Sequence, residues 1–171
     1  MGMKRLSESR AIKMLQERRE AFRAHVAENY EHRAKACATC ETRGACCLDE
    51  HFVNVRVTRL EAAAMRKVID RLPDDTKAAV ERRIDEAIAK YGLECGGEKF
   101  ACPLFDMSVG CLVHAEAKPF PCILHACYER KEDVPPGRVL DDAEQYIERL
   151  NQKVYGMTAP QRSIPLAIKL C

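Results

Sequence analysis

Tryptophan is absent from this chain of 171 residues, and aromatic residues make up only 6% of it. The aromatic contribution to a core is therefore thin. Charge of one sign is also missing. Lys and Arg number 28 against 26 Asp and Glu, mixed along the chain. A net +2 gives no argument for nucleic acid or an anionic membrane as partner. No apolar run approaches the ~20 residues of a membrane span. The first ten residues are charged and no apolar stretch follows, so no secretory leader is expected. Internal repeats and low-complexity segments are lacking. So are the phosphate-binding loop, the Gly-rich dinucleotide turn, the Gly-x-Ser-x-Gly elbow and the His-Glu-x-x-His helix. The apolar share of 47% is ordinary for a globular chain. The length suits one domain over 1–171.

Cysteine is what the chain does have. Ten occur, and four fall within eleven residues as Cys37-x-x-Cys40 and Cys46-Cys47. Cys102, Cys111, Cys122 and Cys127 follow. Thiolates are soft ligands that suit zinc, iron and iron–sulfur clusters. A Cys-x-x-Cys turn aims two sulfurs at one ion, and Gly44 permits a φ > 0 turn before the pair. In an extended segment Cys46 and Cys47 would point to opposite faces. They would then serve two ions, or two corners of a larger cluster, which tips the expectation toward iron–sulfur over zinc. Disulfides are the rival reading, but ten in 171 residues falls below the ~8–10% of disulfide scaffolds. Unpaired thiols without a leader predict a reducing, cytoplasmic setting. Cys95 and Cys171 stand apart and read as ordinary thiols packed like small hydrophobes, Cys95 being a weaker candidate ligand. His114 and His125 each follow a cysteine at Cys-x-x-His spacing and are candidate ligands or donors to a thiolate. His25 and His32 read as surface residues.

Along the chain, 7–36 reads as one long helix without Gly or Pro, striped by Ile12, Leu15, Phe22, Val26 and Tyr30. Arg18 and Arg19 fill the gap with their apolar stems. A short strand follows over 51–57. Thr58-x-x-Glu61 is a capping box opening a helix that ends before Pro73. Asp74 or Asp75 caps the next, which runs to Gly92, with its charges, Arg83 among them, facing solvent. Residues 93–101 form a loop. Cys102 and Cys111 flank a hairpin turned at 106–110, and 118–121 is stiff and non-helical. Asp141 caps a last helix ending at Gly156. The tail to 171 lies against the core through Ile164, Leu166 and Ile168. The fold class is mainly α with minor β: helices around a small cysteine-rich core (37–128), with the long helix before it and a C-terminal helix and tail (141–171) after it.

The chain resembles the YkgJ-type cysteine-cluster proteins, a zinc- or iron-chelating domain family. The resemblance rests on Cys37-x-x-Cys40, Cys46-Cys47 and Val55-x-Val57-Thr58-x-x-Glu61. It continues through Cys102-Pro103-Leu104-Phe105, Gly110-Cys111-Leu112-Val113 and Lys118-Pro119-x-x-Cys122-x-x-x-x-Cys127. It spans about 37–128. His114 and His125 stand where the family has aromatic residues, and Lys118 and Ile123 where arginine is usual. The resemblance implies metal binding, sometimes as an iron–sulfur oxidoreductase. The expectation is a metal-binding protein whose eight cysteines, Cys37, Cys40, Cys46, Cys47, Cys102, Cys111, Cys122 and Cys127, hold an iron–sulfur cluster or zinc or iron ions. Two alternatives stand beside it. One is an iron–sulfur redox or protein-modifying enzyme. The other is a zinc-stabilised interaction module whose long first helix docks a protein partner.

Overall fold

The computed structural model describes residues 5–42, 44–48, 54–92, 99–156 and 158–171. Its elements in chain order are α1 (Glu8–Asn29), β1 (Ala34–Lys35), β2 (Arg56–Val57), α2 (Arg59–Ile69), α3 (Asp74–Tyr91), β3 (Phe105–Asp106), β4 (Gly110–Cys111), α4 (Phe120–Leu124), β5 (Cys127–Tyr128), α5 (Gly137–Tyr155), β6 (Arg162–Ser163) and α6 (Ile164–Lys169). The strands pair antiparallel as β1–β5, β2–β6 and β3–β4. The protein is mainly α with minor β, as its sequence predicts. No helix among the described residues is long and apolar enough to cross a membrane.

The chain folds as two compact units. One is Met1–Arg43 with Pro119–Thr158; the other is Gly44–Lys118 with Ala159–Cys171. The cysteine-rich segment 37–128 is therefore shared between them.

In the first unit, α1 packs on α4 and α5. Ile12, Leu15, Phe22 and Val26 are buried along it, as the stripe predicts, while Tyr30 is half-buried. Phe22 meets Phe120 with ring centroids 5.0 Å apart. Arg19 is 2% exposed, its guanidinium 5.8 Å from the Phe120 ring centre, and Arg18 stands over Tyr146. Both guanidinium groups thus lie within cation–π range of an aromatic ring. The single helix expected over 7–36 stops at Asn29. The Asn29 amide donates to the His25 carbonyl at 2.9 Å, closing the last turn on itself. A 3-10 turn over Glu31–Arg33 and strand β1 follow. β1 exists because β5 pairs with it, and no local signal in 30–36 announces that partner. α4 also departs from expectation. The 118–121 stretch begins a short helix at Phe120, because a proline in the first helical turn lacks only an N–H that would be unpaired anyway. α5 starts at Gly137, four residues before the expected Asp141 cap, since Pro136 presets the entering backbone. Gly156, at φ 76°, closes it as predicted.

In the second unit, the Thr58–Glu61 capping box forms as read. The Thr58 N–H donates to the Glu61 carboxylate at 2.8 Å, and the Glu61 N–H to Thr58 Oγ1 at 3.3 Å. α3 is entered from Pro73, with Asp74 and Asp75 in its first turn, where acids suit the helix dipole. Of the strand expected over 51–57, only 54–57 is described; Val55 and Val57 are buried, and β2 pairs with β6. The tail packs as predicted. Ile164, Leu166 and Ile168 are buried, each contributing about 1.5–3 kcal/mol of apolar transfer. It does so as strand β6 and helix α6, which packs on α2 and α3. Arg66 ties the three helices together by pairing with Glu81 and donating to the Ile168 carbonyl.

Candidate metal centre

In the second unit, Gly44 adopts the left-handed conformation at φ 83° and starts a 3-10 turn over Ala45–Cys47. The Phe105 ring lies over it so closely that a β-carbon there would sit 2.0 Å from the ring. Only glycine permits both the dihedral and the approach. The turn corrects the reading of Cys46-Cys47. The segment is not extended but a 3-10 turn, so the two side chains are not forced to opposite faces as they would be in a strand. Adjacency alone therefore no longer argues for two ions or a larger cluster.

The hairpin forms as expected. Phe105 faces Cys111 across β3–β4, and Gly110 takes φ 98°. Asp106 Oδ1 accepts from the Ser108 N–H and hydroxyl, which shapes the turn and holds its carboxyl below the ordinary range. Cys102 precedes the hairpin, and its N–H donates to the Cys47 carbonyl at 2.8 Å. Cys46, Cys47, Cys102 and Cys111 thereby share one neighbourhood. The Cys47 thiol is raised, first by its hydrogen bond with Cys46, then by burial, then by the charges of Cys46, Cys102 and Cys111. Burial pushes the Cys102 thiol up to about 12, while the N–H groups of Leu104 and Phe105 and the Arg83 guanidinium act the other way. The donor set thus fits a soft cation that would neutralise the mutual repulsion. Among the described residues, no three His, Cys, Asp or Glu side chains already stand as a coordination shell.

In the first unit, Lys35 faces Cys127 across β1–β5. Cys37 begins a 3-10 turn that ends at Cys40, with the Cys40 N–H donating to the Cys37 carbonyl at 3.2 Å. Cys122 is half-buried within α4; Cys37, Cys40 and Cys127 are exposed. Lys35 and Glu129 pair at 2.8 Å beside them.

The nine described cysteines are all reduced. Cys171 is exposed rather than packed inside, and Cys95 lies outside the described residues. His114 and His125 are exposed, and so are His25 and His32. Arg83, expected on the solvent face of α3, is half-buried and donates to the Pro103 carbonyl at 2.9 Å, beside Cys102. Its position three residues after Val80 on an amphipathic helix gives no hint of this. It lines a cleft of about 630 Å³ with Lys90, Tyr91, Phe105 and Met107, and Cys102 forms part of the wall.

Comparison with family models, with curated proteins and with solved structures gives no match for this chain.

Proposed function

We propose that this protein binds a soft metal through its clustered cysteines, as zinc, iron or an iron–sulfur cluster. The observation that carries the reading is the placing of Cys46 and Cys47 beside Cys102 and Cys111: the Cys102 N–H donates to the Cys47 carbonyl at 2.8 Å, and the Phe105 ring over Gly44 belongs to the cross-strand partner of Cys111. Unrelated buried thiols have no reason to converge from segments so far apart in sequence. The resemblance of 37–128 to YkgJ-type proteins supports the same reading through its motif spacing. In this reading the metal replaces the thiol protons, so binding releases protons and strengthens as pH rises.

The zinc-stabilised interaction module has one specific observation in its favour. Met107 and Val109 are 73% and 72% exposed at the tip of the hairpin that carries Cys111. A rigid metal site at the base would present that apolar tip to a protein partner.

Purification without oxygen, followed by metal and acid-labile sulfide analysis and an absorption spectrum, tests the proposal. Iron with sulfide and visible colour would identify a cluster. Zinc with no colour would identify thiolate sites of the structural kind. A chain that holds none of these metals, and takes up neither zinc nor iron on reconstitution, would refute metal binding.

A further inference from the structure

We infer that the eight cysteines form two separate four-thiolate sites, one in each compact unit: Cys37, Cys40, Cys122 and Cys127 in the first, and Cys46, Cys47, Cys102 and Cys111 in the second. The inference rests on the metal-binding reading and deepens it. The cysteines come as four doublets in chain order, and nearness in sequence would join the first two doublets. The structure joins them as outer with outer and inner with inner. The chain passes from one unit to the other between Arg43 and Gly44, which parts Cys40 from Cys46. It returns between Lys118 and Pro119, which parts Cys111 from Cys122.

Within each unit the grouping has its own geometric cause. Zinc sits ~2.3 Å from each thiolate sulfur, so the backbones carrying its ligands must lie close together. In the second unit, the Cys102 N–H bonds to the Cys47 carbonyl at 2.8 Å, which brings those backbones side by side. The Gly44 turn lies under the Phe105 ring, and Phe105 is the cross-strand partner of Cys111. Two independent contacts therefore hold the inner doublets together. In the first unit, the β1–β5 register sets Cys127 opposite Lys35, an antiparallel separation of ~5 Å. Cys37 follows two residues after Lys35, at most ~7 Å along the chain. The 3-10 turn brings Cys40 back beside Cys37, and α4 delivers Cys122 five residues before Cys127. Each set offers four thiolates, the number a tetrahedral zinc or iron ion or a four-iron cluster takes.

The test uses the full chain, stripped of metal, kept reduced and titrated with cadmium, a soft ion that reports thiolate binding. The wild type is expected to take two ions. Replacing either member doublet of a set by serine (C37S/C40S or C122S/C127S; C46S/C47S or C102S/C111S) should reduce uptake from two to one. Replacing both doublets of the same set should still leave one. Replacing Cys37, Cys40, Cys46 and Cys47 together should leave none. Retention of one ion by that last variant, or loss of both ions from a single doublet, overturns the partition while leaving metal binding intact. Failure of the wild type to take cadmium refutes the metal reading itself and this inference with it. Because a variant can simply fail to fold, cadmium-113 NMR of the wild type supplies an independent readout. Two resonances, each coupled to the β-protons of its own four cysteines as assigned above, support the partition. Any coupling that crosses the two sets overturns it.

Discussion

Gly44 is the residue at which backbone and site meet. An alanine there would have to hold φ near 83° and push the Phe105 ring aside. The dihedral alone costs of order 1–2 kcal/mol for an L-residue. Gly44→Ala should therefore lower the urea midpoint by at least that free energy, and weaken metal uptake at the neighbouring thiols. An unchanged midpoint would mean that the ring approach is not a constraint. Glu144 tests a different force. Burial, with the charge of Asp141 adding to it, raises its carboxyl above the ordinary value. The folded state then holds this proton more tightly than the unfolded state does. The stability it brings is complete below the unfolded value of about 4.3 and is lost as pH rises through the raised one. Glu144→Gln, which never carries the charge, should melt higher than the wild type at pH 7. The difference should shrink toward zero below about pH 4. An equal or lower melting temperature at pH 7 would contradict the assignment.

At the scale of elements, the signals the chain wrote locally are the ones that read true. The Thr58–Glu61 box, the Gly156 terminus of α5 and the 106–110 turn each depend on residues a few positions apart, so their physics is complete within a short window. Among the elements that departed from expectation, the strands depend on remote partners, whereas the ends of α1, α4 and α5 shift through local asparagine and proline effects. β1 needs β5, and β6 needs β2. α6 is legible in the sequence only as a packed tail, because a six-residue helix with proline near its start carries almost no helical signal. Its buried face nevertheless matters. Ile168 is fully buried where α6 meets α2 and α3. Ile168→Ala should cost about 2–5 kcal/mol, read as a lower denaturant midpoint with little change in slope. A loss under about 1 kcal/mol would mean that the tail is dispensable to the second unit.

For the whole molecule, metal and folding should be linked. A thiolate site formed only in the native chain stabilises it by mass action, by about 2.7 kcal/mol when free metal stands at 100 times Kd. Protein reconstituted with metal should therefore melt well above the same protein treated with a chelator under reducing conditions. Superimposable melting curves, with metal bound in one sample and absent from the other, would show that the sites do not support the fold. The candidate site itself was largely legible as a set of residues. Thiols announce their chemistry by type and by short spacing, and the eight named from sequence divide four and four between the two units.

The sequence by itself determined the clustering of the thiols along the chain, the mainly helical class and the short-range caps and turns, because each rests on residue type or on neighbours within one or two turns. Tertiary structure alone decided which compact unit each cysteine belongs to. Strand pairing and the passage of the chain between units act across a hundred residues, and they assign Cys40 to one unit and Cys46 to the other although the two are six positions apart. It also decided that Cys46 and Cys47 stand side by side, since a 3-10 turn rather than an extended strand carries them. That turn is held by a distant ring lying on a glycine, a contact that no local pattern encodes.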